Sequence, residues 1–146
     1  MRVRGSAIIV QEQKILVLRY VYPKGTVYAI PGGGLEPGES LDETLVREFR
    51  EELSLEIELG PLQYVSDMMP QGKIPQTLHV VFLGNILSGE PKLNPEHTSA
   101  AGFEWLPLEH AAGKKLYPAL PIDAAELAQE QATPRYLGKC IAREWA

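Results

Sequence analysis

The stretch GGLEPGESLDETLVREFREELSL, residues 33–55, decides the reading of this chain. It opens on glycine and passes through Glu36-Pro37-Gly38-Glu39, where the apolar period changes from that of a strand to that of a helix. Ser40 is a good N-cap residue, and Glu43 three positions later completes the spacing of a capping box. Leu41, Leu45, Phe49 and Leu53 then recur every four residues as one apolar stripe. At about 100° per residue these four fall within an arc of roughly 120° that faces a core.

The acidic residues of this helix divide into two sets. Glu52 falls inside the apolar arc, Glu48 at its edge and Glu51 one step further round. Glu43, Arg47 and Arg50 lie on the far side and read as a solvated face, with Glu43–Arg47 a favourable i,i+4 pair. A carboxylate beside a buried stripe is costly unless it is paired, protonated or bound to a cation. Glu48 and Glu52 are one turn apart and can point at one place. A hard divalent ion such as Mg²⁺, which takes oxygen ligands, would relieve the repulsion among the three glutamates. Taken by itself the helix reads sooner as a Glu-rich surface element, the commoner arrangement for a charge run.

The preceding Gly32-Gly33-Gly34 reads as a turn or as a place where backbone closely approaches a ligand. It is neither a Walker loop nor a dinucleotide fingerprint, because no Gly-Lys-Ser/Thr follows and Gly-x-Gly-x-x-Gly is out of frame. Outward from it, residues 3–10 and 14–20 are β-rich and separated by the polar Gln11-Glu12-Gln13, which predicts a hairpin. Tyr22-Pro23-Lys24-Gly25 breaks the pattern before a short strand at 27–30. Further strands are predicted near 55–67, 77–87 and 102–106, a helix from near Pro107, and another over 122–131 with Asp123 and Glu126 in its first turn. Strands on both sides of a long helix imply an α/β fold, a mixed sheet packed by helices.

The chain has 146 residues, a length that fits one domain, and its net charge of −5 offers no basic footprint for a nucleic-acid polymer. An acidic protein that handles polyphosphates needs local positive charge, and bound cations are the obvious source. The apolar run Ala7-Ile8-Ile9-Val10 is too short to span a membrane and no cleavage pattern follows it, so a soluble cytoplasmic protein is expected. The lone Cys140 cannot form an internal disulfide and reads as a small apolar residue.

The order Gly, five residues, Glu, seven residues, Arg-Glu, apolar, any, Glu-Glu, any, Gly, apolar is the Nudix box. This chain resembles it at Gly33, Glu39, Arg47, Glu48, Phe49, Glu51, Glu52 and Leu55. Six of those positions demand one residue type, a chance match on the order of 10⁻⁷ to 10⁻⁸ per start point, so the motif is specific where its pieces are not. One position departs: Ser54 stands where the family usually has glycine, a change that touches the helix end rather than the ligands.

The resemblance implies a single Nudix hydrolase domain over residues 1–146, an α/β/α sandwich with a mixed sheet and a loop-helix-loop metal site. It implies Glu48 and Glu52 as main ligands of Mg²⁺ or Mn²⁺, Glu51 as a third or water-mediated one, and the Gly33 carbonyl beside them. Arg47 would orient the glutamates, reaching round toward Glu51, and Glu39 would stabilise the loop or partner the helix N-terminus. The reaction implied is metal-assisted hydrolysis of a nucleoside diphosphate linked to another moiety, with a carboxylate as base. Some members place that base on a later loop, and Glu96 of Pro95-Glu96-His97 is favoured here as base or extra ligand, ahead of His97. His79 and His110 carry no supporting pattern.

Pro70, about fifteen residues beyond the box, matches the spacing of ADP-ribose hydrolases, and prolines are frequent enough in this chain for coincidence to compete. Tyr20, Tyr22, Tyr28 and Tyr64 read first as core or rim packing residues, with stacking against a base the alternative. Lys24 and Lys73 are the cations in nearby loops. Competing readings are a hydrolase of nucleoside triphosphates or dinucleoside polyphosphates, a nucleotide-sensing domain without catalysis, and another metal enzyme on the same fold, an isomerase for example. A small-molecule nucleotide partner, no membrane and a homodimer complete the expectation.

Overall fold

Apolar residues alternate along the first two strands and thereby define the layers. The computed structural model describes residues 1–111, 114, 116–122, 126–127 and 133–141. Strands β1 (Arg2–Gln11) and β2 (Lys14–Tyr22) form a hairpin whose two turn residues, Glu12 and Gln13, both have positive φ, as a twist-matched two-residue turn requires. Ile8, Ile15 and Val17 point to one side of the sheet, Ala7, Ile9, Leu16 and Leu18 to the other. Each set is the floor of its own core.

The remaining strands are β3 (Gly25–Ala29), β4 (Gly32–Gly34), β5 (Glu56–Met69), β6 (Thr77–Ser88), β7 (Gly102–Pro107), β8 (Leu116–Tyr117) and β9 (Arg135–Ile141). They join in the order β8-β3-β2-β1-β6-β5-β9, with β4 beside β1 and β7 beside β2. The pairs β1–β6, β5–β9 and β3–β8 are parallel and the others antiparallel, so the sheet is mixed as predicted. Helix α1 (Leu41–Leu53) covers one core through Leu45, Phe49 and Leu53, while Leu108 and Ala111 of α2 (Leu108–Ala111), with Leu127, belong to the other. The layer order is therefore α/β/α. Among the described residues, no helix is long and apolar enough to cross a membrane.

Two sequence expectations need correction. Gly32–Gly34 is not a turn but a strand, paired with Arg4, Gly5 and Ser6. The Glu43–Arg47 pair does not form: Glu43 accepts hydrogen bonds from the Ser40 N–H (3.1 Å) and hydroxyl (2.7 Å), and Arg47 turns elsewhere. Strands β8 and β9 had no signal, being a two-residue bridge and a chain-terminal edge. Of the helix expected over 122–131, Glu126 and Leu127 are helical, and Asp123 lies outside the described residues.

The end of α1 bears on the one departure from the family motif. Ser54 is left-handed, with φ 58° and ψ 34°, the conformation that glycine adopts most cheaply. The Ser54 and Leu55 N–H groups donate to the Arg50 and Phe49 carbonyls, each at 3.2 Å. No side-chain hydrogen bond of Ser54 accompanies this turn among the described residues. Replacing Ser54 by Gly is expected to be neutral or stabilising, by up to about 1 kcal/mol, because relief of the left-handed strain outweighs the added freedom of the unfolded chain. Denaturant unfolding of the two proteins measures the difference, and a clear loss of stability would show that the serine closes the helix in its own right.

Candidate functional site

Strand β4 brings the glycines against α1. A Cβ on Gly33 would overlap the Glu48 carboxylate, and one on Gly32 would overlap the backbone of Gly5. Gly32 therefore demands glycine for space rather than for φ, and at Gly33 a side chain would have to displace the Glu48 carboxylate. On the same face of the sheet Gly5, paired with Gly33, meets Leu41 and Leu45 of the helix. Helix, glycine strand and β1 thus lie closer together than side chains would permit, and Glu48 is pressed onto the Gly33 backbone.

Arg47 gathers the carboxylates on one flank. Its Nε and Nη2 donate to the two oxygens of Glu39 at 2.8 and 3.0 Å. Its Nη1 donates to Glu48 at 3.1 Å and to Glu51 at 3.3 Å, and Glu36 lies 3.8 Å from Nη2. Glu39 also accepts from the Thr44 hydroxyl at 2.9 Å. The Arg47 hydrogen bonds, with that of Thr44, hold the Glu39 carboxyl down at about 2. Arg47 is one of the least solvated charges on the helix, not part of a solvated face. Arg50 does stay at the surface, paired with Glu56 at 2.6 and 2.8 Å.

Glu52 has the opposite environment. It lies beside Glu48, and burial, followed by the adjacent Glu48 charge, pushes its carboxyl up to about 8, with Arg4 a weaker opposing influence. Two carboxylates in contact, one of them desolvated, can share a proton or share a cation. Among the described residues no three His, Cys, Asp or Glu side chains already converge as a metal cage. The donor set nevertheless fits a hard divalent cation: carboxylate oxygens of Glu48 and Glu52, the neighbouring Glu51, and a glycine backbone with no side chain to block approach.

A loop is tied to the C-terminal end of the helix. Lys92 and Asn94 donate backbone N–H groups to the carbonyls of Leu53 (2.9 Å) and Glu52 (3.0 Å). His97 Nδ1 consequently lies 3.9 Å from Glu51 Oε2. Glu96 is exposed, its N–H donating to Asn94 Oδ1 at 3.1 Å, and no hydrogen bond or ion pair joins its carboxylate to the helix glutamates. The structure thus brings Glu39, Arg47, Glu48, Glu51, Glu52 and Gly33 together, with His97 beside Glu51.

A cavity of about 380 Å³ opens beside this cluster, with Gly32 and Gly34 on one wall and Arg2, Arg4, Tyr20, Tyr22 and Tyr117 around it. Val27, Ala29, Met68 and Ile74 give it apolar surface. Tyr20 and Tyr22 are stacked, centroids 6.3 Å apart at 15°, and the Tyr20 hydroxyl lies 3.4 Å from that of Thr98. Of the other tyrosines, Tyr64 is buried with its hydroxyl on the Pro121 carbonyl at 3.0 Å, and Tyr28 packs against the opposite core. Neither Lys24 nor Lys73 lines the cavity; its cations are Arg2 and Arg4, which sequence reasoning missed. Pro70 is exposed just beyond β5, between the lining residues Met68 and Ile74.

His79, without a motif of its own, is fully buried with neither ring nitrogen hydrogen-bonded among the described residues, its ring edge-on to Tyr117 at 5.2 Å. Burial, then the charges of Arg4 and Arg2, push it down to about 3, so it is neutral.

Comparison with known proteins places this arrangement. Residues 1–130 match the NUDIX domain family model. The chain is 32% identical over 91 residues to the NAD-capped RNA hydrolase NudC of Pectobacterium carotovorum, covering 62% of this chain and 34% of that protein. It is 33% identical over 103 residues to the ADP-ribose pyrophosphatase of Methanocaldococcus jannaschii, covering 68% and 59%. The match thus spans about a third of the NudC protein's length and about three fifths of the pyrophosphatase's. Among solved structures, the MutT Nudix hydrolase of Burkholderia pseudomallei superposes with a TM-score of 0.65 at 27% identity, covering 90% of this chain and 98% of that one. The E. coli ORF135 protein gives 0.69 at 24%, covering 89% and 91%, a likeness of fold. With a glycine strand and a carboxylate helix inside a family model that matches most of its length, this chain belongs to the NUDIX domain family.

Proposed function

We propose that the protein hydrolyses the phosphoanhydride bond of a nucleoside diphosphate joined to a second moiety, ADP-ribose or a nucleotide sugar, with Mg²⁺ or Mn²⁺. The observation that carries this is the contact of Glu48 with Glu52 on a glycine backbone, at the edge of a cavity that offers aromatic faces and arginines. Glu48 and Glu52 would hold the cation, with Glu51 and the Gly33 carbonyl completing its ligands. When bound, the cation supplies charge to the phosphate oxygens and acidifies the attacking water.

The protein's own groups do the rest. Arg47 fixes the Glu48 and Glu51 carboxylates, and Glu39 anchors Arg47, so the ligands are oriented before substrate arrives. A water oxygen forms a bond to one phosphorus as the bridging P–O bond breaks, and two phosphate-ended products leave. The water's proton passes to a carboxylate, for which Glu96 on the tethered loop is favoured and Glu51 is the alternative. The nucleoside base stacks against Tyr20 and Tyr22. The acidic balance of the chain mildly favours a diphosphate over a more highly charged triphosphate. The pyrophosphatase from M. jannaschii, named for ADP-ribose, supports the same class.

Chelator should abolish turnover and Mg²⁺ or Mn²⁺ restore it; full activity in a metal-free preparation would sink the assignment. Glu52→Gln should lower kcat by orders of magnitude with the fold intact, since the amide keeps the shape but loses the charge that binds the ion. Glu96→Gln should lower kcat and leave cation affinity unchanged; if Glu51→Gln alone has the large effect, Glu51 is the base.

The Glu52 environment also sets a pH dependence. Its folded carboxyl titrates at about 8, above the ordinary value of 4.5, so between these values the folded state holds a proton that the unfolded chain has released. Stability is therefore full below the lower value and declines as pH rises toward the upper one. Thermal unfolding of the metal-free protein should fall in midpoint across that window, and added divalent cation should flatten the slope. A midpoint that rises with pH without metal would contradict the site.

Substrate class is decided by kcat/KM for ADP-ribose, nucleoside triphosphates and dinucleoside polyphosphates under one metal condition. ADP-ribose or a nucleotide sugar is expected to win. A triphosphate preferred more than tenfold, about 1.4 kcal/mol of transition-state stabilisation, would withdraw the diphosphate class.

A further inference from the structure

Arg4 is a cation built into the wall of the cavity and used by no step above. It lies on β1, directly opposite Gly34 of β4 and His79 of β6. Nη1 donates to the Ser6 hydroxyl at 2.7 Å and Nη2 to the Ile30 carbonyl at 3.0 Å, and its guanidinium carbon sits 4.9 Å from the centroid of the Tyr117 ring. Three restraints hold one side chain, so its orientation is set before any ligand arrives. Two of the guanidinium's five N–H donors are thereby used, and the others have no hydrogen-bond partner among the described residues.

Its surroundings are anionic, yet none of them captures it. Arg4 is near enough to Glu52 and Glu48 for their charges to act on it, but no ion pair within 4.0 Å forms with either among the described residues. The residue beneath it, His79, is neutral, so the charge at this wall comes from Arg4 and, further out on the same face, Arg2. The side chain is only partly buried, and its open side is the cavity.

We propose that Arg4 is a substrate-binding residue, which grips the phosphate on the cavity side of the scissile linkage while the carboxylate cluster serves the other phosphate. The ligand class is a diphosphate ester, and the contact is a set of charge-assisted N–H to phosphate-oxygen hydrogen bonds. This rests on the proposed function and adds the group that distinguishes a diphosphate from a nucleoside or a monophosphate. It also accounts for how an acidic chain accepts an anionic substrate: one fixed guanidinium stands beyond the carboxylates.

Binding in chelator separates this from turnover. Calorimetric titration in EDTA at low salt is expected to give at least tenfold tighter binding of ADP than of adenosine by the wild type. Arg4→Gln should lose that preference while adenosine binding stays the same. A preference absent from the wild type, or retained by Arg4→Gln, overturns the proposal. If Arg4→Gln does not fold, the Nε–H resonance of Arg4 in the wild type, assigned with Arg4→Lys, is followed instead. Its shift with ADP but not adenosine supports the contact, and an unmoved resonance overturns it. Absence of metal-dependent hydrolysis of any nucleotide would instead defeat the proposed function and leave the binding result standing.

Discussion

The carboxylate of Glu48 occupies the space that a side chain at position 33 would need, and much of the site depends on that exclusion. Without a Cβ on Gly33 the Glu48 side chain can lie on the glycine strand, and without one on Gly32 that strand can lie on β1. The same closeness brings backbone carbonyls and a helix glutamate to one surface, which a turn of larger residues would keep apart. At Gly32 the neighbour is the Gly5 backbone, which cannot give, whereas a methyl group at Gly33 would displace the Glu48 carboxylate from its place beside Arg47 and Glu52.

Electrostatics then divides the glutamates by their neighbours. Glu39 has the bidentate arginine and a threonine hydroxyl and titrates at about 2. Glu52, on the same loop-helix unit, is desolvated by burial and has another carboxylate for a neighbour, and its carboxyl is pushed up to about 8. Arg47 is one cation shared among several anions, and it faces the loop. The flank toward the cavity is left with net negative charge in contact, which is the situation that a divalent ion resolves. Arg4, held off from both carboxylates, does not neutralise that flank.

Much of this was legible in residues 33–55. The Ser40–Glu43 cap and the Leu45-Phe49-Leu53 stripe depend on neighbours within one or two turns, which a helical wheel represents faithfully. The wheel failed at Arg47 because its partner, Glu39, lies before the helix, in a loop that folds back over it. It also failed at the glycines, since strand pairing of Gly32–Gly34 with β1 joins positions about thirty residues apart and leaves no local signature. Arg4 escaped notice for the same reason: its restraints come from Ile30 and Tyr117, and only the fold brings these together. The tyrosines show the limit of composition. Four were equivalent in the sequence, and strand facing sorts Tyr20 and Tyr22 to the cavity and Tyr64 to the core.

The end of α1 joins the proposed metal ligands to the loop that carries the candidate base. Ser54 turns the chain left-handed, and a Cβ on Gly89, itself at positive φ, would come within 2.8 Å of the Ser54 carbonyl. The chain returning from β6 therefore passes tightly against that turn before Lys92 and Asn94 bond to the last carbonyls of the helix. Those carbonyls are among the groups that a helix end must satisfy. By using a loop rather than water to satisfy them, the fold registers residues 94–98 against Glu51 and Glu52. Position 54 lies far enough from the ligands that serine can replace glycine there without altering a donor atom. It lies close enough that the same turn governs how Glu96 and His97 are presented to the site.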